Sequence, residues 1–182
     1  MHLNSRSLNK NFEHFENLLN SINNFTFSII GITETWLHEN SPNLFNLPNY
    51  KLLRADRKGR RGGGVAFYVS QDLKFKKRPD IELTQVESLF IEIDNAKSKN
   101  IVVGLIYRPP DSTFDPFCEE LEEHLHKLGE ENKHVFLLGD FNINFLSSAR
   151  NNNSDKFMQL MYSHSFNSYI NNPTRINQHS ST

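Results

Sequence analysis

Apolar positions along the chain fall into two patterns: short, nearly continuous runs and longer stretches with a spacing of three or four. Phe12, Phe15, Leu18, Leu19 and Ile22 recur at helical spacing, which predicts an amphipathic helix capped by Asn9 or Asn11. Phe117, Leu121, Leu125 and Leu128 form one face of a second helix over Phe117–Leu128, leaving Glu119, Glu120, Glu122 and Glu123 for a solvated face. A third, weaker helix is predicted over about Asp155–Ser163, with Phe157, Leu160 and Met161 inward, and Asn172-Pro173 ends whatever precedes it. The runs Phe27–Thr33, Tyr50–Leu53, Val65–Ser70, Ser88–Ile93, Ile101–Tyr107 and His134–Gly139 read as strands, the first of them buried on both faces, and His2–Asn4 reads as the stub of another. Strands outnumber helices without strict alternation, which favours a layered α/β sandwich with mixed sheets over a doubly wound sheet.

A length of 182 residues predicts one domain over residues 1–182, and 37% hydrophobic residues with 15 Phe supply a core that needs no staples. Cys118 is the only cysteine, which excludes an internal disulfide and every multi-cysteine zinc module. No uncharged apolar run reaches the roughly 18 to 20 residues that span a bilayer, so the expectation is a soluble, intracellular, monomeric domain with no membrane contact. The formal net charge of -1 hides a segregation. Residues 51–80 hold ten Lys and Arg against three Asp, whereas residues 111–131 hold eight acids against Lys127. A phosphate-rich partner would meet one side of such a surface.

Candidate chemistry lies where apolar runs stop. Glu34 closes SIIGITET and Asp140 closes HVFLLGDFN. A carboxylate directly after a buried strand is held rigidly yet stays wet, which suits a hard-metal ligand; each alone is equally an ordinary turn acid. Asn142 follows Asp140 at i+2, so a persisting strand would point both to one side of the rim. Tyr107-Arg-Pro-Pro110 ends another strand with forced extended backbone. Arg60-Arg61-Gly62-Gly63-Gly64 precedes the Val65 strand; its glycines permit positive φ or close backbone approach. The arginines there, with Arg54, Arg57 and Lys58, fit either a solvated hairpin or a set of phosphate contacts.

Together, NSRSL, ITETWL, RRGGGVAFYV, VESLFIEI, GLIYRPP, LLGDFNIN and NPTRI resemble in their order the endonuclease/exonuclease/phosphatase superfamily. Within it they resemble the endonuclease domain that non-LTR (LINE-type) retrotransposons carry ahead of their reverse transcriptase, and the resemblance covers Leu3–Thr182. It implies a four-layered α/β sandwich of the DNase I-like type and Mg²⁺-dependent (or Mn²⁺-dependent) hydrolysis of a DNA phosphodiester, in the nucleus. It also implies Glu34 as principal metal ligand, Asn4 near metal and phosphate, Asp140 orienting or deprotonating water, and Asn142 with Tyr107 on the scissile phosphate. Arg108, Thr174 and Arg175 are implied on the DNA side, and Arg60 and Arg61 are candidate phosphate contacts.

The same resemblance carries a departure. The family pattern continues through a Ser/Thr-rich turn into a strand bearing an Asp and then a Ser-Asp-His motif, both beyond Thr182. An incomplete copy lacking its last strands, with little nicking activity, is the expectation, and the eight histidines present read as structural. Two further readings stay open: a phosphatase or phosphodiesterase on the same fold, and a non-catalytic nucleic-acid or protein binding remnant.

Overall fold

In the computed structural model, residues 1–22, 25–42, 44–145, 151–170, 172, 174, 176–177 and 180–181 are described. Strands β1 (His2–Asn4), β2 (Ile29–Thr33), β3 (Tyr50–Ala55) and β4 (Val65–Ser70) form one sheet in the order β1-β2-β4-β3. Strands β5 (Phe75–Lys77), β6 (Glu87–Ile93), β7 (Ile101–Tyr107) and β8 (His134–Asp140) form a second, in the order β5-β6-β7-β8. Each sheet is mixed, with one parallel pair, β1 with β2 and β7 with β8. Helix α1 (Leu8–Ser21) follows β1, while α2 (Phe114–Glu130) and α3 (Asn152–Ser163) flank β8. A short antiparallel pair, β9 (Ile176–Asn177) and β10 (Ser180–Ser181), stands apart from both sheets.

Alternation along the strands builds three cores and hence four layers. Val65, Phe67 and Val69 of β4 meet Leu89, Ile91 and Ile93 of β6 and Val103 and Leu105 of β7 between the sheets. The opposite faces serve the helices. Ile30 and Ile32 of β2 with Ala66 and Tyr68 of β4 pack on Leu8 and Phe15 of α1. Phe90, Val102 and Ile106 pack on Phe117, Leu121, Leu125 and Leu128 of α2 and on Phe157 of α3. Because the core strands are covered on both sides, they read in the sequence as continuous apolar runs rather than alternating ones.

Several local expectations are corrected. Neither Asn9 nor Asn11 caps α1: the N-cap is Ser7, without a side-chain cap bond, and Asn11 Nδ2 donates to the Ser5 carbonyl at 2.8 Å. The three residues of β5 escaped detection because Phe75 is their only apolar residue, and so short an edge strand has no period to read. Helix α3 begins earlier than its apolar face, where the Asn151 side chain accepts from the Ser154 N–H at 2.9 Å. Among the described residues no helix is long and apolar enough to cross a membrane.

The basic and acidic segments also meet each other. Arg78, 8% exposed, reaches Asp80, Glu131 and the buried Glu92, and Lys133 bonds the same Glu92 and Glu131. Burial alone would raise the Glu92 carboxyl, but hydrogen bonds from Lys133, Asn100 and Arg78 outweigh it and hold it at about 2. A free glutamate titrates near 4.5, so the stability that Glu92 supplies is complete above that pH and is lost as pH falls toward 2. Glu92→Gln is expected to cost about 3 kcal/mol at neutral pH and to flatten the acid limb of stability, as read by urea unfolding from pH 7 down to pH 3.

Candidate metal and phosphate site

Strands β1, β2, β7 and β8 all deliver their carboxyl ends to one rim of the sandwich, the edge where open α/β sheets place ligands. Asn4 ends β1, Asp140 ends β8, and Glu34 directly follows β2. Asn4 Nδ2 donates to Glu34 Oε1 at 2.7 Å and to Asp140 Oδ2 at 2.9 Å. One amide thus joins two carboxylates that stand 106 positions apart in sequence and on different sheets. Its own Oδ1 accepts the Arg6 N–H at 3.2 Å.

The turns around this rim explain two of the sequence motifs. In the NSRSL segment the Ser5 hydroxyl and the Ser7 N–H both donate to the Glu34 carbonyl, at 3.0 and 2.9 Å, and the Leu8 N–H donates to the Thr35 carbonyl at 2.8 Å. In the RRGGG segment the Gly64 and Gly63 carbonyls accept the N–H groups of Thr35 and Trp36, at 3.2 and 2.9 Å. The chain is clasped from both sides while Glu34 and Trp36 adopt left-handed φ angles of 53° and 55°, a conformation that persists only where surroundings enforce it. Trp36 then swings its indole back, and Nε1 donates to Glu34 Oε2 at 3.3 Å.

Asp140 is fixed in a different way. The strand does not persist beyond it: Asn142 turns to a φ of 48°, its N–H donates to Asp140 Oδ1 at 3.0 Å, and its Nδ2 donates to the Arg108 carbonyl at 2.8 Å. Asp140 and Asn142 are therefore neighbours through a tight turn, not through the strand alternation that their spacing suggested. Arg108, expected on the DNA side, is 6% exposed. Its guanidinium donates to the Phe141, Ser112 and Asn142 carbonyls and lies over the Phe114 and Phe117 rings. That placement makes it a tie for the Asp140 turn, and burial pulls its pKa below the usual arginine value.

Tyr107 pairs with Asp140 in the β7–β8 register and is 6% exposed, with its ring in the core between the sheets. Burial, then the charge of Glu34, pushes its hydroxyl up to about 12 despite the opposing charge of Arg57. His2 lies beneath the rim, Nε2 to Thr33 Oγ1 at 3.1 Å, and burial brings it down to about 4 against the pull of Asp140, so it is neutral at pH 7.

The arginine segment closes the β3–β4 hairpin with Lys58, Arg60 and Arg61 exposed, but its guanidinium groups are engaged rather than forming an open basic strip. Arg54 pairs with Asp56, Arg57 with Glu87, and Arg60 with Asp111 at 2.7 Å, while the Arg61 guanidinium sits 5.3 Å from the Trp36 ring centroid. Arg60 and Arg61 are exposed and border the rim. Thr174 is exposed, and Arg175 and His179 lie outside the described residues. Trp36 and Glu87 were not singled out from sequence, and Arg57 was read only as one of the basic residues of the hairpin. The signal was present in ITETWL and VESL, but a tryptophan next to a strand end reads as core until its backbone conformation is known.

The donor set has a definite charge. Among the described residues no cationic side chain forms an ion pair with Glu34 or Asp140, and no three His, Cys, Asp or Glu gather as a metal site, at this rim or elsewhere. Two half-exposed carboxylates with an amide alongside fit a hard cation that keeps most of its waters.

A two-sheet, four-layer sandwich with such a rim is the DNase I-like fold. The chain belongs to the Endonuclease/Exonuclease/phosphatase family, which it matches over residues 1–177, and members of this family are hydrolases. Its structure is similar to the endonuclease domain of TRAS1, a telomere-specific non-LTR retrotransposon, with TM-score 0.67 and 15% identity, covering 100% of this chain and 78% of that one. It is also similar to the 3'-5' exonuclease NExo from Neisseria meningitidis, with TM-score 0.56, 20% identity and coverage of 90% and 70%. The human Nocturnin catalytic domain with bound sulfate gives TM-score 0.52 at 14% identity, with coverage of 79% and 63%. No curated protein sequence matches the chain.

Gly64 tests the clasp. It holds a φ of +80°, and a Cβ there would stand 2.6 Å from Thr35 Oγ1. Gly64→Ala is expected to cost about 1 to 3 kcal/mol and to shift the fluorescence of Trp36, the only tryptophan; urea unfolding and emission spectra check both.

Proposed function

We propose that this chain is a divalent-metal-dependent DNA endonuclease domain of the kind that non-LTR retrotransposons carry, with Mg²⁺ or Mn²⁺ as its ion. The observation that carries the reading is the meeting of Glu34 and Asp140 on the Asn4 amide, two carboxylates with no ion-pair partner among the described residues. Glu34 is the principal holder of the ion, with Asp140 and Asn4 beside it. A bound divalent ion supplies charge to a phosphate oxygen and acidity to a coordinated water.

The side chains divide the remaining work. Asp140, kept in one rotamer by Asn4 and the Asn142 N–H, orients the attacking water and takes its proton. Asn142 and Tyr107 hold the scissile phosphate, and Arg108 serves them by fixing the turn. Arg60 and Arg61, with Thr174 and Arg175, meet the DNA backbone.

A second reading, the non-catalytic binding remnant, has one observation in its favour. The histidine that senses Asp140 is His2, and burial keeps it neutral, so it offers no proton to a leaving oxygen. Losing a positioned acid costs about 10² to 10⁴ in rate, and nicking by the chain is expected to be slow by that order.

Mn²⁺ titration followed by Trp36 emission is expected to show saturable binding that Glu34→Gln abolishes, and the residual nicking of supercoiled plasmid should vanish with it. Unchanged titration in the variant would refute the metal assignment, whereas binding without any nicking would favour the remnant.

The basic rim makes a separate prediction. Arg60 is held by an exposed partner, Asp111, in a contact that solvent screens, so a DNA phosphate can replace it. Arg60→Gln is expected to reduce the log-log salt slope of DNA binding by about 0.9, and Asp111→Asn to tighten binding. Fluorescence anisotropy on a labelled duplex across a salt series measures both.

A further inference from the structure

Arg57 belongs to no strand, yet it joins the β6–β7 edge of one sheet to the glycine loop that leads into β4 of the other. Its guanidinium binds Glu87 at the start of β6 through Nε and, at 3.0 Å, through Nη2, a two-point contact. It also lies 5.6 Å from the Tyr107 ring centroid. The glycine segment makes room for it: a Cβ on Gly63 would stand 2.3 Å from the guanidinium carbon. The Gly63 carbonyl in turn accepts the Trp36 N–H at 2.9 Å, and the Trp36 indole donates to Glu34. The Arg57 side chain is 11% exposed, so few waters can replace these contacts.

We infer that Arg57 is a positioning residue of the Glu34–Asp140 rim, a wedge fixed by Glu87 that sets the Tyr107 ring on one sheet and the Gly63–Trp36–Glu34 line on the other. The planar fork is the essential property. A lysine keeps the charge but can neither grip both Glu87 oxygens nor lie flat between Gly63 and Tyr107. The ring then loses its cover, and the loop that orients the indole loses its backing. Residues that hydrogen-bond a metal ligand typically change its affinity about 10- to 100-fold when lost, and Arg57, which reaches Glu34 only through Gly63 and Trp36, belongs at the low end of that range. This role depends on the metal-site reading for the cation affinity alone; the indole reports it without any metal.

The experiment compares wild type with Arg57→Lys and Glu87→Gln. Far-UV circular dichroism and the unfolding midpoint establish that each variant is folded. Metal-free Trp36 emission and acrylamide quenching then report the loop, and Mn²⁺ titration on the same signal reports the site. The expected result is a folded Arg57→Lys protein whose Trp36 is more readily quenched and whose Mn²⁺ affinity is about tenfold weaker, with Glu87→Gln shifted in the same sense. Should Arg57→Lys fail to fold, Glu87→Gln alone decides by the same two readings. Wild-type emission, quenching and affinity in a folded variant would overturn the assignment. Absence of Mn²⁺ binding by the wild type would remove the metal-site reading instead, and the metal-free indole comparison would still decide the role of Arg57.

Discussion

Everything at the rim depends on one amide that satisfies two carboxylates at once. Two ionised groups at close range repel, and burial sharpens the repulsion, so their approach needs donors aimed between them. Asn4 Nδ2 is that donor, and it stands at the end of a strand of only three residues. Because β1 pairs with β2 and Asp140 ends β8, the same amide fixes how the edge of one sheet faces the edge of the other. Sheet packing, turn conformation and site charge therefore constrain one another at this point.

The strands and helices were legible because their burial is simple. β4 and β7 are covered on both faces, and a continuous apolar run records that directly. Glu34 and Asp140 were legible for the same reason, as the charges on which those runs end. What escaped is conformational. Strand alternation predicts that Asp140 and Asn142 point alike, but the left-handed φ of Asn142 replaces it with a turn, and nothing in Asp-Phe-Asn distinguishes the two. The arginines escaped for an electrostatic reason. Their partners Glu87 and Asp111 lie 30 and 51 positions away, and a one-dimensional charge count sees a basic block where the fold makes ion pairs. Arg108 differs in being tied to backbone carbonyls rather than to an acid, and a rim arginine beside two prolines is indistinguishable in sequence from one that faces a ligand.

The glycine segment shows how a loop becomes part of a site without contributing a side chain. Gly63 and Gly64 offer carbonyls to Trp36 and Thr35 and space to Arg57. Any Cβ would forfeit the space, and any right-handed residue would forfeit the carbonyls. The Ser5 and Ser7 donors perform the matching task from the other side of Glu34. A carboxylate held in this way needs no further packing of its own side chain, which is why Glu34 can remain half-buried and still be fixed.

The two ends of the sandwich handle charge in opposite ways, and the contrast bears on what the rim is for. At the far end, β6 and β8 are flanked by Asp80, Glu92 and Glu131 against Arg78 and Lys133, with Lys76 3.5 Å from Glu92. Each buried charge there has a partner, and such a network resists removal of any member. At the rim, about 20 Å away along seven-residue strands, the nearby arginines are spent on Glu87 and Asp111, leaving Glu34 and Asp140 to neutral donors. Five of the eight left-handed non-glycine residues among those described, Arg6, Ser7, Glu34, Trp36 and Asn142, stand at this rim, against Asn132 at the far end. A sequence under selection for stability alone would place one of those arginines against the carboxylates. Holding them apart costs stability, and a fold tolerates such a cost where the uncompensated charge is itself the function.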